Sequence, residues 1–127
     1  METRRYAIRS LSNIAVQPLS FSSDTLQSMV QAAIVALSDY STDQRGDVGS
    51  WIRMTGLSAI GQMLSVPTIY SQIDQVTLDS AIGGIIKQGV EKLEPCRSQA
   101  YATMAQLRQS GVHWSGQEAM RFSVDTR

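Results

Sequence analysis

One pattern of side chains occurs three times along this chain of 127 residues. An arginine is followed by a small residue three positions later and by apolar residues four and seven positions later. These offsets place the side chains on one face of an α-helix. The copies begin at Arg4, Arg53 and Arg97, which are spaced by 49 and 44 residues. The small and apolar members are Ala7, Ile8, Leu11, Gly56, Leu57, Ile60, Ala100, Tyr101 and Met104.

This spacing is typical of two-helix repeats. Repeats of the HEAT type have a period of about 40–47 residues, and the pattern resembles the first helix of such a repeat. Only 6% of the residues are aromatic, so the core must be mostly aliphatic, which suits helix-on-helix packing. We therefore predict an all-α fold, a HEAT- or armadillo-like α-solenoid of about two and a half helical hairpins. The chain is predicted to be a single segment over residues 1–127, with approximate repeats at 2–38, 47–92 and 95–127.

Local signals place the individual helices. The clearest apolar stripe runs from Leu26 to Leu37 and follows Ser22, Ser23 and Asp24, whose side-chain oxygens can cap a helix. Gly83 and Gly84 interrupt a later stripe and are expected to let a neighbouring helix approach closely. The predicted helices cover residues 2–16, the Leu26 stripe, 48–64 with Asp47 as its N-cap, 75–92, Pro95 to just before Gly111, and a sixth that begins at Ser115.

The two ends of the chain lack the polar outer faces that terminal repeats of a solenoid carry. The first predicted helix starts at residue 2, and the last has barely begun when the chain ends. We therefore expect the chain to be an internal slice of a longer solenoid or a truncated product.

Composition argues against several classes of partner. Eleven basic residues balance eleven acidic ones, whereas nucleic-acid binders usually carry a basic excess. No window has the roughly 18 consecutive apolar residues of a membrane helix, and the first residues do not form a signal peptide. We expect a protein without nucleic-acid or membrane partners in the cytoplasm, where it could associate with the cytoskeleton.

A search for catalytic motifs is mostly negative. Phosphate-binding glycine loops, H-E-x-x-H and C-x-x-C are absent, and with one histidine and one cysteine the chain cannot form a zinc site of several such ligands. The acidic residues near Asp39 fail as a calcium loop, because Gln44 and Ser50 occupy the required glycine and glutamate positions. We expect no enzyme, metal or cofactor. An enzyme that uses Cys96 and His113 is kept as a third class of function.

The fifteen residues from Asp39 to Arg53, DYSTDQRGDVGSWIR, are the most specific motif in the chain. They resemble a signature of the tubulin-folding cofactor D family, also called tubulin-specific chaperones D. Weaker similarity includes the residues around Arg4 and the pair formed by Trp114 and Ser115. The stretch between Gly61 and Pro95 departs from the family pattern.

The resemblance implies a function. Members of that family bind β-tubulin after the chaperonin step, and with sister cofactors they assemble or dismantle the αβ-tubulin dimer. They also work with an Arf-like small GTPase, and in complex with their partners they promote GTP hydrolysis by tubulin. The resemblance therefore implies a protein-binding segment whose partners are β-tubulin, other tubulin-folding cofactors and an Arf-like GTPase. The alternative is a generic HEAT or armadillo adaptor with another protein partner.

Two interpretations of the 39–53 segment remain open. In the first, it is a protein-contact surface, with the candidate residues Asp39, Tyr40, Asp43, Arg45, Asp47 and Arg53. In the second, it is a hinge between repeats, in which Trp51 packs between helices. The arginines that begin the three pattern copies are interpreted as a ladder that links adjacent repeats.

Overall fold

A computed structural model of the chain describes the backbone of residues 2–15, 21–40, 42–43, 46–47 and 49–113. Six helices and one short strand pair lie in these ranges. The elements are α1 (Glu2–Ala15), α2 (Ser23–Ala36), β1 (Thr42–Asp43), β2 (Gly46–Asp47), α3 (Gly49–Leu64), α4 (Pro67–Tyr70), α5 (Gln75–Gln88) and α6 (Glu94–Gln109).

The helices pack in two layers. Helix α3 lies between α1 and α6, and these three form the first layer. Helix α2 packs against α1 and α3, while α5 packs against α2 and α6, so that α2 and α5 form the second layer. The prediction of an all-α helical-repeat architecture is confirmed. None of the helices that the structure describes is long and apolar enough to cross a membrane.

The core is aliphatic, as the composition predicted. Leu57, Ile60 and Ile85 are fully buried, and each such burial stabilises the fold by about 1.5–3 kcal/mol. Cys96 is also fully buried. The central position of α3 explains a difference among the three pattern copies. Helix α3 has neighbours on both sides, whereas Ala7 of α1 and Tyr101 of α6 are exposed.

Several helix ends follow the predicted local signals. The hydroxyl of Ser22 accepts a hydrogen bond of 3.2 Å from the backbone N–H of Thr25, which caps α2. Helix α6 has a proline in its first turn, and Gly111 adopts a positive φ of 83° just beyond its end. The predicted sixth helix lies outside the described residues.

Other helix ends differ from the prediction. Helix α5 ends at Gln88 instead of residue 92, because the chain must turn back towards α6. At this end the backbone N–H of Gly89 donates hydrogen bonds of 3.0 Å to the carbonyls of Ile85 and Ile86. Pro67 begins the one-turn helix α4, because a proline is favourable in a first turn.

The paired glycines behave unequally. A Cβ atom on Gly84 would lie 2.7 Å from Cδ1 of Leu37, so this glycine allows α2 to approach α5. A Cβ atom on Gly83 would meet no atom within 4 Å. The expected close approach is therefore confirmed at Gly84 only.

Candidate functional site

The candidate site is organised around a buried arginine. Helix α3 carries Arg53 one turn from its start, and the side chain has no exposed surface. Its Nη1 donates a hydrogen bond of 2.8 Å to the backbone carbonyl of Asp39, and its Nε donates one of 3.2 Å to Oε1 of Gln88. A weaker contact of 3.9 Å joins Nη2 to Sγ of Cys96. A buried guanidinium is tolerated only with partners of this kind, because its desolvation is costly.

Tyr40 covers this arginine from the loop side. The centroid of its ring lies 4.0 Å from the guanidinium carbon of Arg53, which is a close cation–π contact. The tyrosine hydroxyl accepts a hydrogen bond of 2.9 Å from Nε2 of Gln88 and donates one of 3.3 Å to Glu91. Nζ of Lys87 lies 5.6 Å from the same ring. Tyr40 thus remains partly exposed while its ring and hydroxyl are both held in place.

Asp39 connects the site to the first helix. Its carboxylate forms an ion pair with Nη1 of Arg4, while its backbone carbonyl accepts from Arg53. The Asp39 side chain is only 11% exposed, whereas that of Arg4 is 53% exposed. Because solvent screens the arginine, the pair contributes at most about 1 kcal/mol. Its main effect is to fix where the chain leaves α2.

We call Asp39, Tyr40, Arg53 and Gln88 the loop latch. They join the start of the loop after α2 to the helices α3 and α5. The chain beyond the latch forms a small antiparallel ladder, in which Thr42 pairs with Asp47 and Asp43 pairs with Gly46. The latch therefore holds the chain just before this ladder begins.

The latch contains only some of the predicted contact residues. Asp39, Tyr40 and Arg53 come together in it. The backbones of Asp43 and Asp47 lie in the two strands, whereas their side chains and the whole of Arg45 lie outside the described part of the structure. The prediction that Asp47 caps α3 also concerns such a side chain. Since Arg53 is fully buried, it can influence a partner only through the loop that it holds.

Gln88 was missed by the sequence reasoning, although a signal was present. It is fully buried and links Arg53, Tyr40 and the backbone carbonyl of Leu37, the last at 3.3 Å. Its position is three residues after Ile85 and ten after Leu78, both of them core residues of α5. A glutamine on the apolar face of a helix must find polar partners inside the fold.

The arginine ladder is only partly observed. Arg4 and Arg53 meet at Asp39, one through its carboxylate and the other through its carbonyl, so they do link successive repeats. Arg97 instead donates to the carbonyls of Glu91 and Lys92 in the loop before its own helix, at 2.8 and 2.7 Å. These two residues end the predicted repeat 47–92, so Arg97 also bonds to the preceding repeat, although it does not do so at Asp39.

Trp51 differs from the prediction that it packs between helices. Trp51 is 42% exposed, so it does not lie in the core between the helices. The neighbouring Ile52 and Arg53 occupy the buried face instead. Trp51 therefore belongs to the surface of the first helical layer.

The pair formed by Cys96 and His113 does not make a catalytic dyad. Cys96 is buried near the start of α6, while His113 follows the end of that helix and is exposed. A helix rises by about 1.5 Å per residue, so the two side chains are separated by on the order of 20 Å. The part of the chain that the structure describes contains no group of three potential metal-ligating side chains.

The two-layer stack of helices defines this chain as an all-α helical-repeat protein. Its sequence is 32% identical over 91 residues to tubulin-folding cofactor D from Schizosaccharomyces pombe. The match covers 72% of this chain but only 8% of that relative, so the chain spans only a small part of the relative's length. No family model matches the chain, and no solved structure matches it.

Proposed function

We propose that this chain is a protein-binding helical-repeat segment of a tubulin-folding cofactor. Its proposed main partner is β-tubulin, with other tubulin-folding cofactors and an Arf-like small GTPase as further partners in assembly of the αβ-tubulin dimer. Any GTPase-activating effect belongs to the complete cofactor complex. The similarity to tubulin-folding cofactor D over 91 residues supports this assignment.

The loop latch is the observation that carries the proposal. A buried arginine, a buried glutamine and a tyrosine hold the start of a charged hairpin whose sequence resembles that family. A hairpin held in one position loses less conformational entropy when it binds, so its contacts contribute more to affinity. In this proposal Asp43, Arg45 and Asp47 present the contact, while the latch positions them.

The proposed mode of action is binding without catalysis, in the cytoplasm and in association with the tubulin cytoskeleton. Burial of Cys96 and its separation from His113 support a function without a thiol nucleophile. A buried thiol is inert, because reaction needs both access and a stabilised thiolate.

Capture of tubulin by the purified 127-residue chain tests the proposal. The immobilised wild-type chain is expected to retain purified αβ-tubulin or β-tubulin released from a chaperonin, with binding that weakens as salt screens the charges over about 8 Å. The double variant Asp43→Arg, Arg45→Asp should keep its melting temperature and lose capture. These substitutions leave the net charge unchanged.

The matched control is Asp79→Arg with Lys92→Asp, which also leaves the net charge unchanged and alters exposed residues of α5 and of the loop that follows it. This control should bind tubulin like the wild type. If the wild type captures tubulin and the hairpin variant captures it equally well, the hairpin has an architectural role only. Absence of any tubulin capture by the folded wild-type chain would favour a generic helical-repeat adaptor.

A further inference from the structure

A cavity of about 360 Å³ opens on the outer face of the first helical layer. It lies across all three helices of that layer, and its volume is within the roughly 300–1,000 Å³ typical of ligand sites. The residues that line it are Arg5, Arg9 and Ser12 of α1, Trp51, Met54, Thr55, Ser58, Ala59 and Gln62 of α3, and Gln99 of α6.

Helical periodicity explains why these side chains face outwards together. Trp51, Thr55, Ser58 and Gln62 follow one another at intervals of four, three and four residues, which is one face of α3. The opposite face of α3 is buried. In a stacked solenoid each repeat contacts only its neighbours, so further repeats would extend the layer beside α1 or α6. They would leave this outer face uncovered.

The cavity combines positive charge with an exposed aromatic surface. Among the described residues that line it, Arg5 and Arg9 are the charged ones and none is acidic. Arg9 is exposed, and its guanidinium carbon lies 5.9 Å from the ring centroid of Tyr6, itself 57% exposed. Trp51 adds an indole that is 42% exposed.

The polar lining is already ordered. The hydroxyl of Ser12 donates a hydrogen bond of 3.0 Å to Gln62, and the amide of Gln62 donates one of 3.2 Å to Asn13. The hydroxyl of Thr55 donates one of 2.9 Å to the carbonyl of Trp51. Side chains that are fixed before binding reduce the entropic cost of association.

We propose that this cavity docks an acidic peptide segment of a partner protein. Carboxylates of the segment would contact Arg9 and Arg5, because a guanidinium fork matches a carboxylate with two hydrogen bonds. An apolar side chain of the segment would rest on Trp51 and Met54. Tryptophan and arginine are the residues most enriched among energetic hot spots of interfaces. The site is separate from the hairpin, and the proposal does not require that the partner be tubulin.

Fluorescence anisotropy with a defined probe tests the assignment. The probe is a labelled hexapeptide of four glutamates and two leucines, and its control replaces each glutamate by glutamine. The 127-residue chain should bind the glutamate probe saturably and the glutamine probe at least about tenfold more weakly, which corresponds to the loss of one charge-assisted hydrogen bond. Affinity for the glutamate probe should fall as salt rises.

Variants locate the binding. Arg9→Gln and Trp51→Ala should each lower the affinity for the glutamate probe about tenfold. The substitution Lys92→Gln, at an exposed residue outside the cavity, should leave that affinity unchanged. Circular dichroism melting confirms that each variant is folded, and Trp51→Phe serves as the conservative substitution if Trp51→Ala unfolds. Equal affinity for both probes, unchanged affinity in the folded Arg9 variant, or no saturation up to about 1 mM would overturn the proposal. Displacement by inorganic phosphate at constant ionic strength would assign the cavity to a small anion instead.

Discussion

The guanidinium of Arg53 lies beneath the ring of Tyr40 at 4.0 Å, and both side chains bind the same residue, Gln88. Arg53 donates to the glutamine carbonyl oxygen, while the glutamine amide donates to the tyrosine hydroxyl. The three side chains therefore form a closed circuit between the loop after α2 and the helices α3 and α5. In such a circuit the loss of one member removes a partner from each of the other two, which favours a single arrangement of the group.

Substitution of Arg53 by methionine should destabilise the fold strongly. The side-chain volume is nearly retained, but the carbonyl oxygens of Asp39 and Gln88 each lose the hydrogen bond from Arg53. Each donor lost from a buried acceptor costs about 1–3 kcal/mol, so the total loss should be roughly 2–6 kcal/mol. Urea unfolding followed by circular dichroism measures the free energy of unfolding.

Lys92→Met is the matched control, because it removes an exposed cation outside the latch and should change stability by less than about 0.5 kcal/mol. If Arg53→Met were as stable as this control, the hydrogen bonds of Arg53 would make no net contribution to the fold.

Two substitutions of Tyr40 separate the contributions of its ring and its hydroxyl. Tyr40→Phe keeps the ring over Arg53 but removes the bonds to Gln88 and Glu91, at a cost of about 0.5–1.5 kcal/mol. Tyr40→Leu also removes the cation–π contact and should cost a further 0.5–2 kcal/mol, about the worth of such a contact when partly desolvated. Equal stability of the two variants in urea unfolding would mean that the ring contact contributes nothing.

The helices were predictable from the sequence because their signals are local. The apolar stripe from Leu26 to Leu37 and the cap at Ser22 act within a few residues, and both appear as expected. The regular recurrence of the arginine pattern predicted the stacking of helices, because each copy occupies an equivalent place. The structure confirmed this at the centre of the stack, where the copy that begins at Arg53 is buried.

The latch and the cavity were not predictable, because they depend on which faces of distant helices meet. The residues Arg53 and Gln88 are 35 positions apart, and no local pattern brings them together. The exposure of Trp51 depends on which face of α3 meets the neighbouring helices. A tryptophan near the start of an apolar helix does not indicate that face, so the prediction that it packs between helices was wrong.

Two glycine substitutions should change stability in opposite directions. A Cβ on Gly56 would lie 3.0 Å from the carbonyl oxygen of Ala33 and 3.1 Å from Cβ of Ala36. Gly56→Ala should therefore push α2 and α3 apart and lower the free energy of unfolding by about 1–3 kcal/mol. Gly83→Ala meets no neighbour within 4 Å in the middle of α5 and should stabilise by up to about 1 kcal/mol. Thermal melts of both variants, compared with the wild type, measure the difference. A stabilising Gly56→Ala would contradict the tight contact between α2 and α3.

Replacement of Trp51 should be tolerated better than that of a core residue. Full truncation of a buried aromatic side chain costs about 3–5 kcal/mol, but Trp51 is 42% exposed, so Trp51→Ala should cost roughly 1–2 kcal/mol. Leu57→Ala is the reference, because Leu57 is fully buried and should cost about 2–5 kcal/mol. The free energies of unfolding in urea decide the order. A larger loss for Trp51→Ala than for Leu57→Ala would place the indole in the core.

The N-cap of α5 should make stability depend on pH in the acid range. Oδ1 of Asp74 accepts a hydrogen bond of 2.7 Å from the backbone N–H of Thr77. This bond, assisted by the Thr77 hydroxyl and by Gln27, lowers the pKa of the Asp74 carboxyl from its ordinary value of 3.8. Because the folded-state pKa is lower than the unfolded one, the cap stabilises the fold above pH 3.8, and this contribution is lost as the pH falls through the folded pKa.

Asp74→Asn is the variant that isolates this titration, since asparagine caps a helix about as well as aspartate but has no proton to gain. The difference in the free energy of unfolding between the wild type and this variant should be constant near neutral pH. It should then shift against the wild type as the pH falls below 3.8. Urea unfolding of both proteins across that range measures the difference, in which the titration of the other carboxyls cancels. A difference that does not change with pH would mean that the Asp74 cap does not distinguish the charged from the neutral carboxyl.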